Sequence, residues 1–195
     1  MSFTFNNKTV DSTDQLCDWE LQARLIFSVI VAGKNAKFAE EAIRKLLPMD
    51  EMPFDVIKRY GADLRKKLEL ARTGNYTKLC NCLPGLVQLN PRTCTLAELE
   101  AINGIGPKTS RFFVLWTGRD IPCAALDVHI LRFLRELGYS APKSTPPAGP
   151  EYSRLEQLFL REAKKRKLSP NRLDWLVWEA YSSKDEKAVA KLKTP

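Results

Sequence analysis

Apolar residues recur at helical spacing along nearly the whole chain. In CDWELQARLIFSVIVAG, Trp19, Leu21, Leu25, Ile26, Val29 and Ile30 follow the 3.6-residue period, and Gly33 ends the run. KFAEEAIRKLL repeats that period and stops at Pro48, while PFDVIKRYGADLRKKLELARTG reads as two short helices interrupted near Gly61 and closed by Gly74. TLAELEAI opens on Thr95 with Glu98 three residues on, the spacing of a capping box. PKTSRFFVLWTG starts with Pro107 in a first helical position and closes on Gly118. DVHILRFLREL begins at Asp127, a good N-cap residue, and ends at Gly138. The proline-dense SAPKSTPPAGPEYS must be a surface loop, after which RLEQLFLREAKKRK and RLDWLVWEAYSS return to helical spacing. No segment alternates convincingly with period two, and there is no internal repeat. The predicted class is all-α.

Length and charge narrow the partners. A chain of 195 residues can form one large domain or two small ones sharing a cleft. Its 31 Lys and Arg against 23 Asp and Glu leave a formal charge of +8, which favours a polyanion, nucleic acid before membrane. LREAKKRK reads as a solvated basic face that adds nonspecific attraction to DNA. The opening MSFTFNNKTVDST lacks the apolar core of a signal peptide, and no apolar run approaches membrane-spanning length. Cys17, Cys80, Cys82, Cys94 and Cys123 form no disulfide-like framework, so the chain reads as a reduced, intracellular protein. Cys80 and Cys82 could be half of a zinc site, but one histidine and no second close cysteine pair favour a buried or incidental role. No metal is expected.

The chemistry concentrates in INGIGPKTS, residues 102–110. Gly104 and Gly106 build a tight turn between two helices, since glycine accepts positive φ and lets another backbone approach. Such a turn presents backbone N–H groups and the positive end of the second helix's dipole, a site for one phosphate. The two glycines alone fit an ordinary αα-hairpin. The full string, with Lys108 and Thr109 directly behind the turn, is far more specific.

LEAINGIGPKTSRFFVLW followed by ALDVHILRFL resembles the helix-hairpin-helix, Gly/Pro-Asp superfamily of DNA glycosylases. The match is strongest from Leu96 to Leu134 and extends from Cys17 to Ser182 at the level of helix order. The resemblance implies an all-α fold in two helical subdomains flanking a DNA cleft. A central barrel would span 23–124, with the helix-hairpin-helix at about 96–118, and a second domain would combine 1–22 with 125–195. Lys108 stands where lyase-competent relatives keep a catalytic lysine, and Asp127 matches their catalytic aspartate. The activity implied is excision of a damaged base from double-stranded DNA with β-elimination at the abasic site, by a monomer without cofactor. Gly104, Gly106, Thr109 and His129 fall where such proteins meet DNA phosphates.

The chemistry suits these residue types. Breaking an N-glycosidic bond builds positive charge on the deoxyribose, which a carboxylate beside C1′ stabilises. A neutral amine attacking C1′ forms a Schiff base, from which β-elimination cuts the strand. Read alone, Asp127 is a helix cap and Lys108 a solvated charge; a cap can also be catalytic.

No cysteine follows Cys123, which excludes the four-cysteine iron–sulfur loop of endonuclease III and most adenine glycosylases. The chain then resembles most the cluster-free 8-oxoguanine glycosylase/lyases of short bacterial and archaeal type. Their Leu-Asp-x-x-x-Trp helix, which lines the base pocket, is matched in NRLDWLVWEAY by Asp174 and Trp178, four apart on one helix face. An indole stacks on a flipped purine and a carboxylate accepts from its N–H groups. An amphipathic helix with core tryptophans is the alternative, and Trp175 fits that role in part. Gly33, Lys34 and Asn35 take the place of the loop that fills the hole left by the flipped base. The usual Gln or Asn is replaced there by Gly33, leaving Asn35 as the wedge candidate. Two other functions remain open: a glycosylase for an oxidised pyrimidine or alkylated base, and a hairpin module that binds DNA without chemistry.

Overall fold

The computed structural model describes residue 10 and residues 12–193; most of the stretch read for a leader, and both extremes of the expected second domain, lie outside the described residues. The described residues are helical and contain no strand. In chain order the helices are α1 (Asp18–Ile30), α2 (Ala36–Leu46), α3 (Pro53–Tyr60), α4 (Leu64–Leu70), α5 (Tyr76–Leu86), α6 (Leu96–Glu100), α7 (Pro107–Trp116), α8 (Val128–Glu136), α9 (Pro150–Lys165), α10 (Pro170–Ser182) and α11 (Glu186–Lys193). Two compact units divide the chain at Ile105 and Gly106, within the glycine turn, so α7 goes with the C-terminal helices. The domain description implied by the resemblance divides after residue 124 instead.

In the first unit α1 packs against α2, α3 and α5, burying Leu21, Leu25, Ile26, Val29 and Ile30, as its apolar spacing requires. α6 carries the expected capping box: Thr95 Oγ1 accepts from the Glu98 amide at 3.1 Å, and Glu98 Oε2 accepts from the Thr95 amide at 2.7 Å. α5 has no counterpart among the helices expected from the apolar spacing. It contains Pro84 and Gly85, which both weaken helices, yet Leu79, Cys82, Leu83 and Leu86 form one buried stripe that holds it.

The second unit has its own core, in which Ile130, Leu131, Phe133 and Leu134 of α8 meet Leu155 and Phe159 of α9 and Leu173 and Val177 of α10. Phe133 and Phe159 pack edge to face with centroids 6.4 Å apart. The proline-dense segment is a loop, and its last proline opens α9. α10 packs against α7, α8, α9 and α11 and so positions the side chains on its inner face.

Candidate active site

Lys108 is the second residue of α7, two positions after the Gly106 cap. Its Nζ lies 5.3 Å from the centroid of Phe112, whose ring stacks on Trp116 at 5.4 Å. The ring face attracts the amine and gives it a defined seat at the helix start. Phe112 stands four residues after Lys108 on the same helix face, and that spacing is the sequence signal for such a seat.

Asp127 is the N-cap of α8, as its sequence context requires. Its Oδ1 accepts from the amides of His129 at 2.9 Å and Ile130 at 2.8 Å. Those two bonds fix the carboxylate's orientation and leave Oδ2 without a partner among the described residues. His129 contributes its amide to this cap, and its side chain is half-buried.

Asp174 sits on α10 within electrostatic reach of both Asp127 and Lys108. The residue is partly accessible, but its Oδ1 is sealed from solvent and has no hydrogen-bond partner in the described residues. Burial pushes its pKa well above the carboxylate range; the neighbouring Asp127 adds to the rise and Lys108 opposes it. Trp178, on the same face, is 38% exposed, so its indole is open to a ligand. Trp175 is half-buried under the Arg172 guanidinium, 4.5 Å from its ring centroid, which matches its expected mixed role.

A buried carboxyl with an empty acceptor costs stability. The unfolded chain ionises Asp174 in the ordinary range near ~4, whereas the folded chain resists ionisation until higher pH. The stability associated with this group is therefore complete at acid pH and falls as pH rises through the folded-state pKa. Asp174→Asn should melt with the wild type near pH 4 and above it at pH 7 to 8, by thermal unfolding followed by circular dichroism. Matching melting curves at both pH values would mean that the carboxyl is not strained by the fold.

At the turn, Gly104 has φ 97° and an added Cβ would stand 3.2 Å from Lys78 Cγ, so glycine is required there. Gly106 is different: its φ is −102° and nothing in the chain stands near where its Cβ would be. The amides of Thr109 and Ser110 both donate to Gly106 O, at 3.0 and 3.1 Å. The Gly106 and Lys108 amides keep no acceptor among the described residues and are the donors this turn offers. Thr109, expected at a phosphate, is buried, so its side chain belongs to the packing of α7.

The loop residues lie on the first unit. Gly33 takes φ 74°, which closes the turn after α1. Lys34 is folded inward, its Nζ donating to the carbonyls of Ile30, at 3.1 Å, and Thr73. Burial lowers its pKa and nearby Lys78 adds to this. Asn35 is exposed and caps α2, its Oδ1 accepting from the Lys37 amide at 2.9 Å. Cys82 and Cys123 are buried, and loss of solvent pushes their thiols up to about 11 and about 12, away from thiolate chemistry.

The chain is similar to the crystal structure of Methanocaldococcus jannaschii 8-oxoguanine DNA glycosylase, with a TM-score of 0.69 and 20% sequence identity over 90% of this chain and 83% of that one. The two proteins share a fold. No protein-family model matches the sequence, and no curated protein matches it significantly. No helix among the described residues is long and apolar enough to cross a membrane.

Proposed function

We propose that this protein is a base-excision DNA glycosylase with an associated β-elimination step, acting as a monomer on 8-oxoguanine in double-stranded DNA. The observation that carries the proposal is the grouping of Lys108, Asp127 and Asp174 on one unit, directly behind a turn with free amides. A module that only held a phosphate would need the turn but neither carboxylate. The shared fold with an 8-oxoguanine DNA glycosylase supports the same reading.

In this mechanism the Gly106 and Lys108 amides hold a backbone phosphate, and the damaged nucleotide turns out of the duplex. The glycosidic bond breaks as positive charge builds at C1′, and the base leaves with the bonding pair. Asp127 stabilises that charge through the oxygen its cap leaves free. The Lys108 amine, after giving up its ammonium proton, bonds to C1′ through its lone pair. The adduct sheds a further proton, the nitrogen lone pair forms the C=N bond as the C1′–O4′ bond breaks, and O4′ takes up a proton, which leaves an iminium on the opened sugar. Removal of a C2′ proton then expels the 3′ phosphate, and water returns the lysine.

Trp178 offers a stacking face for the purine, and Asp174 Oδ1 an acceptor in need of a donor. 8-Oxoguanine carries a proton on N7 and guanine does not, so an acceptor here would separate the two by a hydrogen bond left unmade. Asn35 remains the wedge candidate, although its capping bond would have to be shared or broken. The test is single-turnover excision from matched duplexes containing 8-oxoguanine, thymine glycol, uracil or an alkylated adenine, with and without alkali. The expected order places 8-oxoguanine fastest, with strand cleavage before alkali. Faster removal of another base would change the substrate, and no excision of any would overturn the function.

A further inference from the structure

Glu156 lies in the middle of α9 and is absent from the chemistry above, yet it is buried and charged. Its Oε1 accepts from Arg111 Nε at 2.6 Å and from the Ala124 amide at 2.9 Å, and its Oε2 accepts from Arg111 Nη2 at 3.5 Å. The Arg111 and Glu156 side chains are only 15% and 11% exposed, so this pair is shielded from solvent.

Each end of the pair leads to a proposed catalytic group. Arg111 Nη1 reaches back to the Pro107 carbonyl at 3.3 Å, in the turn of α7 that carries Lys108. On the other side, Ala124 stands three residues before Asp127. Tyr152, under the Arg111 guanidinium at 4.9 Å, donates from its hydroxyl to the Ala124 carbonyl at 2.8 Å and accepts from the Leu126 amide at 3.2 Å. The segment entering Asp127, itself folded by bonds from the Leu126 amide to Ala124 O and from the Asp127 amide to Ala125 O, is therefore gripped by side chains of α9, and α9 is tied to the start of α7.

We propose that Arg111, Glu156 and Tyr152 form a clamp that sets the spacing of Lys108 and Asp127, with Glu156 and Tyr152 acting as positioning residues for Asp127. This rests on the glycosylase reading. A salt bridge with packing duties alone would need only the Arg111–Glu156 bonds. The additional bonds to Ala124 and Leu126 all fall on the segment that ends in the carboxylate. Attack at C1′ requires amine and carboxylate to face the same sugar, and a misplacement of about 1 Å can cost ~10²-fold in rate.

The test uses the full chain and an 8-oxoguanine duplex, or whichever lesion duplex the wild type cleaves fastest. Tyr152→Phe keeps the ring and removes only the hydroxyl, and Glu156→Gln keeps the shape and removes the charge. Each should lower the single-turnover rate by roughly tenfold to 10²-fold, with lesion-duplex Kd unchanged and the rate read well below each variant's melting temperature. In an Asp127→Asn background, Tyr152→Phe should have little further effect, because the group it positions has lost its function. Should Glu156→Gln fail to fold, Tyr152→Phe carries the test by itself. Normal rates in the folded variants, or full additivity with Asp127→Asn, would overturn the clamp while leaving the glycosylase reading intact. A wild type inert on every lesion duplex would overturn both.

Discussion

Lys108→Gln is expected to abolish borohydride trapping on lesion DNA and strand nicking before alkali, while binding to the lesion duplex persists. Trapping requires a reducible iminium, and that requires a primary amine at C1′. The lysine's place supports this: second in α7, beside the free amides of the turn, seated over Phe112 and within electrostatic reach of Asp174. Glutamine keeps length and polarity, so the helix start should survive. Affinity should change by less than about tenfold, since the Gly106 and Lys108 amides proposed to hold the phosphate stay in place and only one positive charge near the DNA is lost. Gel-shift titration and trapping on the same end-labelled duplex separate the two effects. Undiminished trapping by the variant would move the nucleophile to another amine.

Asp127→Asn should lower the single-turnover excision rate by about 10²–10³-fold or more, the size of losing one preorganised electrostatic group. The cap makes this substitution clean. Asp127 Oδ1 accepts from two amides of the α8 first turn, and an asparagine oxygen can accept the same bonds. Stability should therefore change by only a few tenths of a kcal/mol, whereas Asp127→Ala would cost about 1 kcal/mol through the cap. A slow, stable Asn variant means that the charge matters; near-normal excision would reduce Asp127 to a structural cap.

Asp174 and Glu156 show opposite ways of keeping a carboxyl inside a protein. Glu156 is surrounded by donors from Arg111 and Ala124, and its burial is compensated. Asp174 Oδ1 has none among the described residues and stands near another carboxylate. A folded chain that tolerates such a group gives up stability at that point, a pattern expected where a ligand later supplies the missing donor. The melting comparison with Asp174→Asn and the lesion panel examine the two halves of that statement separately.

What the sequence determined by itself was local. The all-α class, the Thr95–Glu98 capping box, the Asp127 cap and the turn at Gly104 all depend on residues within about one helical turn of each other, where side chain and backbone meet whatever the rest of the chain does. α5 was equally local but hidden, because Pro84 and Gly85 argue against a helix that only the burial of Leu79, Cys82, Leu83 and Leu86 stabilises. Tertiary structure decided the rest. It buried Thr109, turned Lys34 onto the carbonyls of Ile30 and Thr73, and committed the Asn35 oxygen to a cap. It brought Asp174 to Asp127 and Lys108, and Glu156 to Ala124 and Arg111, 32 and 45 residues away along the chain. Helical periodicity says which face of α9 or α10 is apolar, but the partner that meets a polar group on that face is fixed only when the helices pack, and with it the group's charge and its chemistry.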